Sequence, residues 1–299
     1  MMIKFLVTGA SGFIGQNLVK SLVGKCHSVK ALVRKNYHYN FGKDVEVVFG
    51  DLNDKDSLER AVKGVDIIVH AAAVINSTKK ENFEKVNVGG TRNIIDAAKK
   101  EHVKKFIFIS TGDVVLNPGG LYGWSKLRGE KILKNSGLVY VILRPYTVYG
   151  TDNDHSICDL VKLIRLSYII PIIGNGKALL QPVYVGDLIR VILKVANPRI
   201  KNVIYNIGGP SPISYNDLVD LIAKELNVKR VKLRIPLSLL RICTEVYGRV
   251  ANTTWSSDRI INLTKDKTTD ITKMAKELQI KPQSIEEGIK NCIRLHSIK

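Results

Sequence analysis

A glycine-rich turn near the N-terminus places the tightest constraint on how this chain folds. Residues 9–15 read Gly-Ala-Ser-Gly-Phe-Ile-Gly and follow the apolar run 3–7, while the apolar residues of 13–22 have helical spacing. In a strand-turn-helix of this kind, glycines let the backbone approach a pyrophosphate, and the first N–H groups of the helix point at the anion. The turn therefore predicts an N-terminal dinucleotide-binding α/β unit.

The first half of the chain alternates short apolar runs with helical periodicity. The predicted strands there are 3–7, 29–33, 45–49, 66–70, 106–110 and 139–143, and the predicted helices are 13–22, 57–62, 86–99 and 123–135. Such alternation is typical of βαβ units whose parallel sheet is covered on both faces. We predict an α/β fold with a doubly wound, Rossmann-type parallel sheet in residues 1–150.

In the second half, predicted strands and helices alternate less regularly. Its predicted helices are 157–166, 187–196, 215–226 (capped by Ser214), 236–250, 274–278 and 285–292, and its predicted strands are 181–185 and 203–207. We expect residues 181–200 to return to the Rossmann domain. The rest of 151–299 is predicted to form a smaller, mostly helical substrate lobe.

The charge is unusual, with 46 Lys and Arg against 27 Asp and Glu, a net charge of +19. That excess is compatible with nucleic acid, an anionic membrane or a phosphorylated ligand. The sequence contains no nucleic-acid motif or cluster of stacking aromatics, so no nucleic-acid partner is expected. The basic stretch 224–249 fits either an interfacial helix or a helix packed in the second lobe. Since packed helices are commoner, membrane contact is not expected.

The cysteines and the N-terminus bear on location. Cys26, Cys158, Cys243 and Cys292 are far apart and lack metal-ligand spacing. They predict buried, reduced thiols and no metal site. The first apolar run is too short for a signal peptide or a spanning helix, so we expect a cytoplasmic protein.

Further motifs follow the glycine turn in order. They are Gly50-Asp51-Leu52, His70-Ala71-Ala72-Ala73, Asn87-Val88-Gly89-Gly90-Thr91, Ser110-Thr111, Tyr122-Gly-Trp-Ser-Lys126, Leu143-Arg144-Pro145 and Pro182-Val-Tyr-Val-Gly-Asp-Leu188. Across about residues 3–190, the ordered set resembles the extended short-chain dehydrogenase/reductase superfamily, the NAD(P)-dependent epimerase/dehydratase family. The resemblance implies a dinucleotide cofactor, a homodimer, and a small-molecule substrate that is phosphorylated or nucleotide-linked.

Tyr122 and Lys126 are the candidate catalytic pair. They are four residues apart and share one face of a predicted helix. A free phenol has a pKa of about 10, and a nearby ammonium together with a positively charged nicotinamide would lower it. The resemblance adds Thr111 as a hydroxyl that binds the reacting oxygen. Tyr122 would then move the hydroxyl proton during hydride transfer between a carbinol carbon and the nicotinamide.

The glycine turn and the resemblance together assign the cofactor contacts. These are Gly9, Ser11, Gly12, Phe13, Ile14, Gly15, Asp51, Leu52, Ala71, Ala72, Ala73, Asn87, Ser110, Tyr122, Lys126, Pro145 and Val148. The second strand ends in Arg34 and Lys35, not in the acid that accepts from a ribose 2′-OH. NADP(H) is therefore favoured, with NAD(H) possible; the alternative is that both residues are ordinary solvated charges. His70, which ends a buried strand, is interpreted as structural.

Three departures from the family limit the substrate assignment. Gly112-Asp113 follows Thr111 where nucleotide-sugar dehydratases carry Asp-Glu, so 4,6-dehydration is not expected. The segment from Thr111 to Tyr122 is short, and Leu-Leu-Gln occupies 179–181 where many epimerases place an arginine. The substrate contacts assigned are Thr147, Gln181 and Arg259.

Three functions stay open. The first is an NAD(P)(H)-dependent epimerase or reductase acting on a carbinol or keto carbon of a nucleotide sugar. The second is an NADPH-dependent reductase of a non-nucleotide ketone or aldehyde. The third is a non-catalytic dinucleotide-binding scaffold, against which the intact pair of Tyr122 and Lys126 argues.

Overall fold

A computed structural model describes most of the chain. It covers residues 2–35, 37, 39–77, 79–115, 120–150, 154, 156–239 and 265–297. Its contacts divide the chain into two compact units: 1–145, 188–206 and 273–280 form the first, and 146–187, 207–272 and 281–299 form the second. None of the helices in the described ranges is both long enough and apolar enough to cross a bilayer.

Within the described ranges, the strands belong to four sheets. They are β1 (Lys4–Thr8), β2 (Ser28–Val33), β3 (Val45–Phe49), β4 (Ile67–His70), β5 (Lys105–Ile109), β6 (Tyr140–Pro145), β7 (Val148–Tyr149), β8 (Ile169–Ile173), β9 (Leu179–Leu180), β10 (Val183–Tyr184), β11 (Val203–Ile207), β12 (Ile213–Ser214) and β13 (Val231–Ile235). The first unit contains the largest sheet, with the order β11-β6-β5-β4-β1-β2-β3. Its ladders from β3 to β6 are parallel. The doubly wound, Rossmann-type fold predicted from the sequence is confirmed.

The helices cover the sheet of the first unit and build the core of the second. They are α1 (Phe13–Val23), α2 (Lys55–Val62), α3 (Lys80–Asn82), a π-helical turn (Phe83–Gly89), α4 (Gly90–Lys100), a 3₁₀ turn (Gly112–Val115), α5 (Gly120–Lys134), α6 (Ile157–Leu166), α7 (Val185–Val195), α8 (Tyr215–Glu225), α9 (Thr272–Leu278) and α10 (Ile285–Ser297). In the first unit, Leu58, Ile94 and Leu133 from α2, α4 and α5 share a core with Phe106 of β5. The strand order reverses between β1 and β4, which places a crevice at their carboxyl ends.

The second unit differs from its prediction in its strands. Besides α6, α8 and α10 it contains three two-stranded sheets, β7–β10, β9–β12 and β8–β13. The predicted strand 181–185 is shorter in the structure, where β10 spans Val183–Tyr184, residues 181–182 precede it and Val185 begins α7. Ser214 does cap α8, since its Oγ accepts a hydrogen bond from the Asp217 N–H at 3.1 Å. The predicted helix 236–250 lies outside the described residues from position 240 onward.

The cysteines follow their prediction only in part. Cys158 and Cys292 are buried, but Cys26 is exposed. Cys26 lies in the turn after α1, with a φ of 56°, and is flanked by the exposed residues Gly24 and Lys25. Cys243 lies outside the described residues.

Candidate active site

The glycine turn brings three backbone segments unusually close together. Gly9 has a φ of +68°, and a Cβ there would lie 2.7 Å from the Ala72 nitrogen. A Cβ at Gly15 would lie 2.1 Å from the Gly9 oxygen. Only glycine tolerates these approaches, which let α1 begin directly against the end of β1.

A cleft of about 430 Å³ opens beside this turn, at the carboxyl ends of β1, β2 and β4. The predicted contacts that line it are Gly9, Ser11, Gly12, Phe13, Ile14, Gly15, Arg34, Asp51, Leu52, Ala71, Ala72 and Ala73. The cleft is also lined by residues that the sequence did not assign as cofactor contacts: Leu32, Val33, Tyr37, Gly50, Asn53, Val74, Ile75 and Val86. A glycine cradle leading into a long, mostly apolar cleft fits a dinucleotide, with the pyrophosphate at the start of α1.

Arg34, which stacks on Tyr37, makes one wall of the cleft positively charged. The Arg34 guanidinium carbon lies 4.0 Å from the centre of the Tyr37 ring. The Tyr37 N–H donates to the Arg34 carbonyl at 3.1 Å. The ring thus holds the guanidinium in place by a cation–π contact. Lys35 is exposed and lies outside this lining.

Across from Arg34, Asp51 is held by its neighbour Asn53. One Asp51 carboxylate oxygen accepts from the Asn53 N–H at 2.9 Å and from Asn53 Nδ2 at 2.8 Å. Tyr37 and Asn53 follow predicted contacts by two or three residues. That proximity was the only signal in the sequence that could have found them.

Lys126 is a buried ammonium on α5. Its side chain makes no hydrogen bond within the described part of the chain, and its Nζ lies 4.1 Å from the centre of the Phe108 ring. Burial lowers the pKa of Lys126 to about 7, although the nearby Glu130 carboxylate acts in the opposite direction. A buried cation without a hydrogen-bond acceptor is costly. The site therefore places a donor where a ligand can use it.

Tyr122 lies one turn before Lys126, and Thr111 follows β5. Thr111 is buried, and its Oγ1 accepts from the Asp113 N–H at 3.2 Å. Burial and the negative charge of Asp113 raise the pKa of Tyr122 well above its usual value. We expected Lys126 to lower the pKa of Tyr122, but without a bound cofactor this pKa is raised instead. The phenol is neutral here and can donate a proton, whereas a phenolate needs further positive charge.

Glu130 ties α5 to the ends of two strands. This fully buried carboxylate accepts from Ser110 Oγ at 2.6 Å and from the Arg144 guanidinium at 2.8 and 2.5 Å. The Ser110 hydroxyl, a predicted cofactor contact, is therefore engaged within the protein. The network fixes α5 against β5 and β6 and so sets where Tyr122 and Lys126 lie.

Asn87, another predicted contact, braces the wall of the cleft. Its Oδ1 accepts from the Val74 N–H at 2.7 Å, and its Nδ2 donates to the Val74 carbonyl and to Ser125 Oγ, both at 2.9 Å. Both ends of the Asn87 amide are thus engaged. Val74 lines the cleft, so Asn87 holds that wall beside α5.

His70 supports the same wall from β4. Its ring nitrogens lie 2.7 Å from Thr8 Oγ1 and 3.1 Å from Thr91 Oγ1. Burial and the charge of Lys126 hold the pKa of His70 well below its usual value, so the ring is neutral. These contacts support the structural role expected for His70.

The remaining predicted residues occupy several places. Pro145 ends β6 and is buried, and Val148 lies in β7 beside Val183. The Thr147 carbonyl accepts from the Val183 N–H at 2.9 Å. The side-chain amide of Gln181 donates to the Gly209 carbonyl and accepts from the Thr269 N–H, both at 2.8 Å, so it is engaged within its own unit. Arg259 lies outside the described residues.

Comparison with known proteins agrees with this geometry. The model of the NAD dependent epimerase/dehydratase family matches residues 5–208. The chain belongs to this family. It is 30% identical to a UDP-glucose 4-epimerase of Vibrio cholerae, with 96% of this chain and 93% of that protein covered. Members of this family are enzymes of the extended short-chain dehydrogenase/reductase type, so the scaffold alternative is set aside.

Two further relatives bear on the range of this family. The chain is 26% identical to an N-acetyl-α-D-glucosaminyl-diphospho-ditrans,octacis-undecaprenol 4-epimerase of Escherichia coli O157:H7, over 95% of this chain and 92% of that one. The fold matches a crystal structure of UDP-glucuronic acid 4-epimerase from Bacillus cereus in complex with NAD. That match has a TM-score of 0.80 and 23% identity, and it covers 99% of both chains.

Proposed function

We propose that this family member is an NAD(P)-dependent epimerase or reductase that acts on a carbinol or keto carbon of a nucleotide-linked sugar. Tyr122 is its proton donor and acceptor. The observation that carries the proposal is the buried, unbonded ammonium of Lys126, one turn from Tyr122 on α5, in the unit that also forms the glycine cleft. Similarity to nucleotide-sugar epimerases supports the substrate class.

Each of these residues has a separate role in the proposed reaction. The glycine turn would bind the pyrophosphate of the dinucleotide, and Lys126 would donate to ribose hydroxyls of the same cofactor. Thr111 donates to the reacting oxygen, and Tyr122 gives it a proton in the reducing direction or takes one in the oxidising direction. The bound nicotinamide supplies the hydride acceptor or donor. Because the pKa of Tyr122 is raised in the protein without a cofactor, proton abstraction by Tyr122 in the oxidising direction would need positive charge beyond that of Lys126, which an oxidised nicotinamide would supply.

We further propose that NADP(H) binds more tightly than NAD(H), with Arg34 pairing with the 2′-phosphate. The position of Arg34 against Tyr37 supports this, because the stacked guanidinium presents its N–H groups without a carboxylate at the end of β2. In fluorescence titrations we expect Arg34→Ala to weaken NADPH binding about tenfold or more and NADH binding less than threefold. Lys35→Ala is the matched charge control and should have a smaller effect. Wild-type binding of NAD(H) at least as tight as that of NADP(H) would exclude the preference.

A substrate panel tests the reaction itself. The purified protein is incubated with UDP-, GDP- and dTDP-sugars, with polyprenyl-diphospho-sugars, and with small ketones and aldehydes plus NADPH. Product NMR should show a sugar inverted, or a keto sugar reduced, at one carbon. Turnover of simple carbonyls alone would instead select the non-nucleotide reductase, and the short segment between Thr111 and Tyr122 is the feature that favours it.

A further inference from the structure

The two-stranded sheet β8–β13 in the second unit has one face made only of apolar residues. In the parallel register Val231 lies opposite Ile169, Leu233 opposite Pro171 and Ile235 opposite Ile173. Paired residues point to the same side of a sheet. The other side faces the core, because Ile170 and Ile172 are fully buried. These six paired side chains are called the β8–β13 face below.

Four of the six residues of the β8–β13 face are exposed to solvent, and Ile173 and Ile235 are half-buried. Ile169, Val231 and Leu233 are 53%, 48% and 55% exposed. Next to it, Leu166 at the end of α6 is 84% exposed and Tyr168 is 66% exposed. The Tyr168 carbonyl accepts from the Val231 N–H at 3.0 Å, so these residues adjoin the face. A cluster of exposed aliphatic side chains of this kind marks an interaction surface.

The charged residues on β13 and in the segments that flank it are all basic. Between Glu225 and Glu245 the sequence has five basic residues and no acidic one: Lys229, Arg230, Lys232, Arg234 and Arg241. On β13, Lys232 and Arg234 alternate with the apolar residues of the face and therefore point to the other side of the sheet. The Arg230 guanidinium holds the end of α6 through the Ile164 and Arg165 carbonyls, and Lys232 pairs with Asp220. Lys229 and Arg234 are exposed at either end of the strand.

We propose that the β8–β13 face docks on the surface of an anionic lipid bilayer. The aliphatic side chains would enter the interfacial region, and Tyr168 suits the boundary between headgroups and acyl chains. Lys229 would reach the lipid phosphates beside it. Arg234 pairs with Ile172 and so points to the other side of the sheet, from where it would add only longer-range attraction to the anionic surface. From the sequence we did not expect membrane contact. The sequence shows the basic stretch, but it does not show that Val231 and Leu233 of β13 are exposed.

The charge of the protein favours a bilayer over a second copy of the chain at this face. Two copies meeting through the face would bring their basic strands together, and each chain carries a net charge of +19. Like charges across such an interface oppose association. An anionic lipid surface matches both the apolar residues and the cations.

Sedimentation with vesicles tests the proposal and needs no turnover, so it is independent of the proposed reaction. The purified 299-residue chain is mixed with phosphatidylcholine vesicles with and without phosphatidylglycerol, at low and high salt. We expect binding to the anionic vesicles that weakens as salt rises. For the variant Lys229→Glu/Arg234→Glu we expect the affinity for anionic vesicles to fall by about tenfold or more. For Leu233→Ser we expect it to fall about threefold.

Matched variants separate the face from general charge. Lys25→Glu/Lys43→Glu makes the same charge change at two exposed positions of the first unit, and Met2→Ser removes an exposed apolar side chain there. Both should bind vesicles as wild type does. Equal loss in the control pair, or no binding to anionic vesicles at low salt, would overturn the proposal. So would self-association in analytical ultracentrifugation that Leu233→Ser abolishes while vesicles stay unbound.

Discussion

Replacing Tyr122 with phenylalanine should reduce turnover by about 10²–10⁴-fold while leaving dinucleotide affinity within about threefold. The change removes only the hydroxyl, so the packing of α5 and the Glu130 network stay in place. Loss of the proton donor would affect kcat far more than KM, because the hydroxyl acts on the reacting oxygen in the transition state. Steady-state kinetics on the substrate found in the panel, together with a fluorescence titration of NADPH, measure both effects.

Tyr140→Phe is the matched control for Tyr122→Phe. Tyr140 lies on β6 in the same unit, is also partly buried, and packs against the core beside Phe106. Its hydroxyl has no part in the proposed chemistry, so the control should retain wild-type turnover. If Tyr122→Phe also kept its rate within about threefold, another group would have to move the proton.

Sequence reasoning described the first unit well because each of its βα pieces carries local signals. The predicted strand 45–49 has the observed bounds, since an apolar run there ends at Gly50-Asp51. The glycine turn was also readable, because close backbone approaches at Gly9 and Gly15 exclude every other residue type. Such features depend on neighbours in the chain and therefore appear in the sequence.

The sheet β8–β13 shows where this reasoning stops. Its two strands are far apart in the chain, and Pro171 inside β8 suggests a loop when β8 is read alone. The helical interpretation of 224–249 is wrong over 231–235, which form β13. The alternation of Val231, Leu233 and Ile235 with basic residues is typical of a strand, but it was not used to predict one. Its partner, and the exposure of that apolar face, arise only from tertiary structure.

The candidate site shows the same limit for electrostatics. The spacing of Tyr122 and Lys126 correctly places both on α5, but it does not show what surrounds them. Asp113 raises the pKa of Tyr122, and Glu130 takes up the Ser110 hydroxyl that we expected to contact the cofactor. These interactions join residues from different elements, and burial sets their strength.

Lys126→Met should stabilise the ligand-free protein while abolishing its activity. The Lys126 ammonium is buried without a hydrogen-bond acceptor, and an apolar side chain of similar length would remove its desolvation cost. Replacement of buried ion pairs by well-packed apolar side chains ranges from neutral to a gain of about 4 kcal/mol, and we expect a gain here because the Lys126 ammonium has no hydrogen-bond acceptor to lose. Its pKa is about 7 in the folded chain against 10.5 when unfolded, so between those values the unfolded state binds more protons and wild-type stability rises with pH. The gain should therefore be largest at pH 7 and below and shrink toward pH 10.5.

Lys105→Met is the opposite case and completes this test. Lys105 is equally buried, but its ammonium donates to the carbonyls of Val195, Asn197 and Ile200 at 2.9, 2.5 and 2.8 Å. Its removal leaves acceptors at the end of α7 without a donor and should cost about 1–3 kcal/mol. Urea unfolding of both variants at pH 7 and pH 10 measures these changes. If Lys126→Met and Lys105→Met lowered the free energy of unfolding by similar amounts, Lys126 would also stabilise the fold. The burial of its ammonium would then not destabilise the ligand-free protein.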